Sequence, residues 1–205
     1  MAIADNVLTE LKPQPYAKVR SLVQDGDLLL CSATDPMSKL IRWSTGTPWS
    51  HIAIAYRIER LDRVMVLEAV EKIGVRTVPL STFISKTSGG VHPYPGKILL
   101  ARDQRFEGLA PGKRKAMYDF AFGSLGDRFA AGEIIKIGLR LLLGRTGRKM
   151  PRFLGPRDEY ICSEYVARCY AKAGLKIPWD GLGFVAPGDF ARTPDVQAVA
   201  QIKTR

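Results

Sequence analysis

Strand-like and helix-like stretches are segregated along this chain, and that separation limits the folds open to it. His51–Ile58 alternates and is rich in Ile, Ala and Tyr. Val64–Ala69 follows after the turn Arg60–Arg63, and Gly74–Val78 and Lys97–Arg102 read as further strands. Leu28–Cys31 is a short apolar run behind the turn Asp25-Gly26-Asp27, which suits a buried strand. Two short helices interrupt these strands: one capped by Asp35-Pro36 and running to about Trp43, one from Pro79 through Ser85. In the second half, Pro111–Phe122, Gly132–Leu143 and Tyr160–Ala173 have helical character, the last closed by Gly174. A parallel sheet would alternate strand and helix. The order here predicts an α+β fold with an antiparallel meander.

Composition agrees with a single domain spanning residues 1–205. The chain is 46% hydrophobic and 25% charged, the usual globular mix, and three Cys cannot form a disulfide scaffold. Residues 1–24, with Pro13 and Pro15, read as a leading arm with a short helix near Ala17–Leu22, and the tail from Pro194 as a short strand or a frayed end. The formal charge of +11 favours an anionic partner. The first ten residues carry Asp5 and Glu10 and no basic n-region. No run of about 18 apolar residues occurs. The expectation is a cytoplasmic chain. With no CxxC pair and only two His, no zinc site is expected, nor any organic cofactor.

Three residues could carry chemistry. Cys162 follows Asp158-Glu159-Tyr160-Ile161 and opens a helical run, so it falls in a first helical turn. Free N–H groups and the macrodipole there favour a thiolate, the nucleophilic form. Cys169, two turns on, and Cys31, at a strand end, read as core residues. His51 opens a strand behind the loop Thr45–Ser50 and can project into a cleft, whereas His92 lies in a Gly/Pro loop. Glu68 interrupts the apolar run Val64–Ala69 on the face of Val64 and Val66. Paired through the turn Arg60–Arg63, the two strands bring His51 and Glu68 to one end of a hairpin. Taken singly, each residue reads equally as a core thiol, a half-exposed strand His or an edge carboxylate. Together they supply nucleophile, base and orienter.

Gly26-Asp27-Leu28-Leu29, Ser44–Ile54 with its Ser50-His51 entry, Leu67-Glu68-Ala69 and Tyr160-Ile161-Cys162-Ser163-Glu164 together resemble the circularly permuted NlpC/P60 superfamily. Within it, the chain is most similar to the YiiX/YebB-like papain-fold cysteine hydrolases, from about residue 25 to about residue 190. The order His51, Glu68, Cys162 is that of the permuted group, in which the Cys helix comes late. The resemblance implies a small antiparallel sheet or barrel packed against the helix that presents the Cys. It implies Cys162 as nucleophile, His51 as base and Glu68 as orienting residue, working through a thioester without metal or cofactor. The backbone N–H of Cys162 would help form an oxyanion hole, and Tyr160 and Ser163 would lie at the substrate. Relatives act on peptide amides or, in the lecithin:retinol-acyltransferase type, on lipid acyl groups, so a peptide-like or an acyl substrate is implied.

One segment departs from a minimal core. Residues 134–157 carry seven basic residues and no acid. Within Ile134–Leu143, Lys136 and Arg140 share one stripe among aliphatics, and with Arg145 they could meet an anionic membrane. A core-packed helix with a basic exposed stripe is the alternative. No nucleic-acid motif accompanies the charge. The competing non-enzyme reading is a basic module that binds a membrane or polyanion.

Overall fold

The computed structural model describes residues 2–71, 73–86, 92–129, 159–178 and 185–204. The first half runs α1 (Val7–Glu10), α2 (Tyr16–Val19), β1 (Leu28–Ala33), α3 (Pro36–Thr45), β2 (His51–Ile58), β3 (Arg63–Val70), β4 (Gly74–Pro79), α4 (Leu80–Ser85) and β5 (Gly96–Asp103). The second continues with α5 (Gln104–Glu107), α6 (Pro111–Gly123), β6 (Arg128–Phe129), β7 (Glu159–Tyr160), α7 (Cys162–Lys172), α8 (Pro187–Arg192) and β8 (Val196–Ile202).

Six strands form one antiparallel sheet in the order β4-β3-β2-β1-β5-β8. The α+β class holds, but the meander stops at β4. The chain then returns through α4, so that β5 pairs with the free edge of β1 rather than extending past β4. This leaves β1 central and buried at every position, which is why Leu28–Cys31 carries no polar alternation. Residues from Val196 form the edge strand β8 and add to β5, with a register shift between Leu100 and Ala101.

Both faces of the sheet are covered. On one, Leu28, Leu30, Ile52, Ile54 and Leu67 pack against α6, α7 and α8 and against Ile3, Val7 and Leu8 from the chain start. On the other, Leu29, Cys31, Ala53, Val66 and Leu100 pack against Val19, Leu80, Phe83 and Tyr94. The two periodic sets are the odd and even positions of the same strands.

The Gly26-Asp27 pair is structural. Gly26 has φ of 80°, with the Phe106 ring lying where a Cβ would project. Asp27 is 1% exposed and takes both Arg102 Nε (2.7 Å) and Nη2 (2.8 Å), as well as the Gln24 N–H (2.8 Å). It ties the entry of β1 to β5 at the end of the sheet away from His51.

Helix α7 begins later than its periodicity implies. Glu159 and Tyr160 are extended and pair in parallel with Arg128 and Phe129, so helical geometry starts only at Cys162. The basic segment 134–157 and the Pro178–Gly188 loop anchors Trp179 and Phe184 lie outside the described residues.

Candidate active site

His51 is the first residue of β2 and pairs with Cys31 across β1. Its ring points to the face of the sheet shared with Ala53, Val66 and Glu68. Register places Ile54 opposite Leu67, which sets Glu68 across from Ala53, diagonal to His51 on the same face, and its carboxylate meets the ring edge-on. His51 Nε2 lies 2.9 Å from Glu68 Oε2. Phe83 from α4 stacks on the imidazole, centroids 6.4 Å apart at 25°, and fixes its plane.

Cys162 arrives from the other layer. Helix α7 packs across β2 and β3, and two buried tyrosines set its angle: Tyr165 donates to the Ala121 carbonyl (3.0 Å) and Tyr170 to the Gly26 carbonyl (2.7 Å). The N-cap residue is Ile161, which has no side-chain acceptor, so the first-turn N–H groups are not spent on a cap. The half-buried thiol lies against His51 and takes backbone hydrogen bonds from Ile52 and Ser163. Because Glu68 holds Nε2, Nδ1 is the ring nitrogen left for the sulfur.

Electrostatics couple the three groups. Burial pushes the Cys162 thiol up, but the His51 charge and hydrogen bond, with the Ile52 and Ser163 N–H groups, hold it below its ordinary value. Burial alone would lower His51; the charge and hydrogen bond of Cys162, then those of Glu68, raise it to about 10. Burial likewise opposes ionisation of Glu68, yet its bonds to His51 and Arg76 hold its carboxyl below the usual range. Each of the two groups thus favours the charged form of the other, thiolate beside imidazolium. Cys169 has no such partner and burial pushes it up to about 12, while buried Cys31 is raised well above its ordinary value.

Arg76 is the member that the sequence patterns alone did not single out. It stands directly opposite Glu68 across β3 and β4 and gives Glu68 Oε1 two donors, Nε at 2.8 Å and Nη2 at 2.7 Å. The signal was present in the hairpin: pairing Val70 with Gly74 sets Glu68 opposite Arg76. Cys162, His51, Glu68 and Arg76 line one cavity of about 190 Å³, walled by Met37, Ser38 and Ile41 of α3 and by Phe83 and Tyr94. The Ser163 side chain is 1% exposed and reaches the site only through its backbone. Tyr160 is described by its backbone, in β7. Among the described residues no group of three or more His, Cys, Asp or Glu side chains is placed to hold a metal ion. No described helix is long and apolar enough to cross a membrane.

A papain-like enzyme requires this much: a Cys at a helix start, a His from a neighbouring strand and a polar residue behind it. Residues 22–129, just over half of the chain, match the family described as permuted papain-like amidase enzyme, YaeF/YiiX, C92 family. The chain belongs to that family of cysteine-type hydrolases. The matched stretch holds His51, Glu68 and Arg76 and ends before Cys162. The crystal structure of the metalloprotein YiiX from Escherichia coli O157:H7 is similar over 86% of this chain and 96% of that one, with a TM-score of 0.59 and 20% identity. At that identity the likeness speaks for the fold. No curated protein matches the chain.

Proposed function

We propose that the chain hydrolyses an amide or related acyl bond through a Cys162–His51–Glu68 triad. The observation that carries this reading is the position of the His51 ring, held by Glu68 on Nε2 in the same cavity as a thiol of lowered pKa. The Cys162 thiolate attacks the carbonyl carbon, forming a C–S bond and a tetrahedral oxyanion. The N–H groups at the start of α7 face that charge. Collapse breaks the bond to the leaving group, which takes the Nδ1 proton of His51, and leaves a thioester. His51, now neutral, removes a proton from water. The water attacks the thioester and releases the acid, and Cys162 returns as thiolate beside imidazolium.

Glu68 stabilises the imidazolium and orients the ring. Arg76 acts one step further back, as a positioning residue for Glu68. The substrate is a peptide-like amide, with an acyl ester or thioester as the second class that this chemistry serves. A panel of peptide amides, esters and phospholipids, assayed with Cys162→Ala as control, tests the proposal. Intact-mass measurement after quenching should show an acyl adduct on the parent chain and none on the variant. Turnover that survives in Cys162→Ala removes the thiol from the mechanism.

A further inference from the structure

Helix α3 is amphipathic in the reverse sense. Its ten residues place Thr45 (7% exposed), Ser38, Ser44 and Arg42 toward the fold, where Thr45 and Ser44 donate to the Ile41 carbonyl and Arg42 reaches Ser32 Oγ. The outward arc carries Met37 (36% exposed), Leu40 (40%) and Trp43 (58%), with Lys39 on its flank. Eight large apolar side chains are exposed among the described residues, and three of them sit on this one helix. A surface helix ordinarily turns its apolar stripe inward. Clustered apolar exposure on a soluble surface marks a contact site.

The helix also lines the cavity of Cys162 through Met37, Ser38 and Ile41, so the ridge and the mouth are two sides of one element. Exposed Lys86 stands at the same mouth together with exposed Asp35 and Glu71, and the chain as a whole carries a formal charge of +11. We propose that α3 docks this chain on an anionic lipid surface, with the cavity mouth at the interface. A bilayer accepts a narrow apolar ridge, a Trp belongs at its polar boundary, and Lys39 and Lys86 meet its headgroups. A second copy of the chain fits less well. It would bring the same positive charge, and one helix of about 15 Å cannot supply the roughly 800 Å² per partner that a stable dimer buries. Docking stands on the surface alone. What it adds to the thiol-hydrolase reading, and what rests on that reading, is the substrate class: an acyl or amide bond carried on an amphiphile.

The test uses the full chain with Cys162→Ala, so that binding is measured without turnover and a failed hydrolase assignment leaves the result untouched. The chain should sediment with phosphatidylglycerol–phosphatidylcholine vesicles at low salt, less so as salt rises, and weakly with phosphatidylcholine alone. Leu40→Ser with Trp43→Ser should weaken binding about tenfold or more, at an unchanged melting temperature. Quenching of tryptophan fluorescence by brominated lipid, lost in Trp43→Phe, reads the same contact without truncating the ridge. Absence of vesicle binding, equal binding by the double variant with equal quenching in Trp43→Phe, or a concentration-dependent dimer abolished by the double variant would each overturn the proposal.

Discussion

His51 sits between Cys162 and Glu68, both of which favour its charged form, and the reactivity of Cys162 follows from that. The thiolate forms as pH rises through the depressed Cys162 pKa, while His51 stays protonated up to about 10. Iodoacetamide should therefore label Cys162 with a midpoint below the ordinary thiol value of about 8.5, with Cys31 and Cys169 unlabelled. Mass mapping across pH checks this. In His51→Ala only the Ile52 and Ser163 N–H groups are left to oppose burial, so the labelling midpoint should move upward. Turnover should fall again above about pH 10, as His51 loses the proton it gives to the leaving group. Arg76 acts through Glu68. Arg76→Gln removes two donors from Glu68 Oε1 and lets its carboxyl pKa rise. The acid limb of kcat should then shift to higher pH and kcat should fall about tenfold with KM unchanged, Arg76→Lys recovering part. A merely structural role for Arg76 would lower stability without moving the limb.

The elements that could be read from the sequence are those whose pattern is local. Strand β2 occupies His51–Ile58 as its alternation implies, and Asp35 caps α3 through the Ser38 N–H at 2.9 Å. Gly174 closes the α7 region with φ of 83°. The path of β5 could not be read, because pairing to β1 rather than β4 is decided by which edge α4 leaves free, a non-local matter. The start of α7 departs from its periodicity for the same reason: Tyr160 has helical neighbours, but its backbone is claimed by β6. The meeting of His51 and Glu68 was legible from hairpin length. Arg76 followed from the next hairpin, whose tight turn makes its own demand. Gly74 has φ of 88°, and a Cβ there would lie 2.1 Å from the Asp127 carbonyl oxygen, which accepts the Val75 N–H at 2.9 Å. Gly74→Ala should cost about 1–3 kcal/mol in chemical denaturation. Since the turn sets the register opposite Glu68, it should also shift the Cys162 labelling midpoint upward. A stability loss with no shift would show that Arg76 keeps its place without the turn.

Across the whole molecule, one sheet carries two charged clusters with separate duties at its two ends. Asp27 lies just before β1, and Cys31, the cross-strand partner of His51, lies four residues on, which is about 13 Å along the strand. At that spacing, with no shared partner, substitutions should act independently. Asp27→Asn leaves Arg102 half-buried without its counter-charge, and should cost about 3 kcal/mol, or about 10 °C in Tm. The Cys162 labelling profile should not move, because no group of the first cluster touches His51. Glu68→Gln should change both, and its stability effect has a definite pH sense. The Glu68 pKa is lowered in the folded state, so its contribution is present above the unfolded value of about 4.3 and is lost as pH falls through the folded one. The Tm gap between the parent chain and Glu68→Gln should therefore be widest near neutrality and close in acid. In the double variant the two Tm losses should add at neutral pH, while the labelling profile matches that of Glu68→Gln alone. Calorimetry and labelling on the four proteins would decide it. A labelling shift in Asp27→Asn, or losses that fail to add, would mean that the ends of the sheet are coupled through β1 and that the site depends on the whole sheet rather than on its own end.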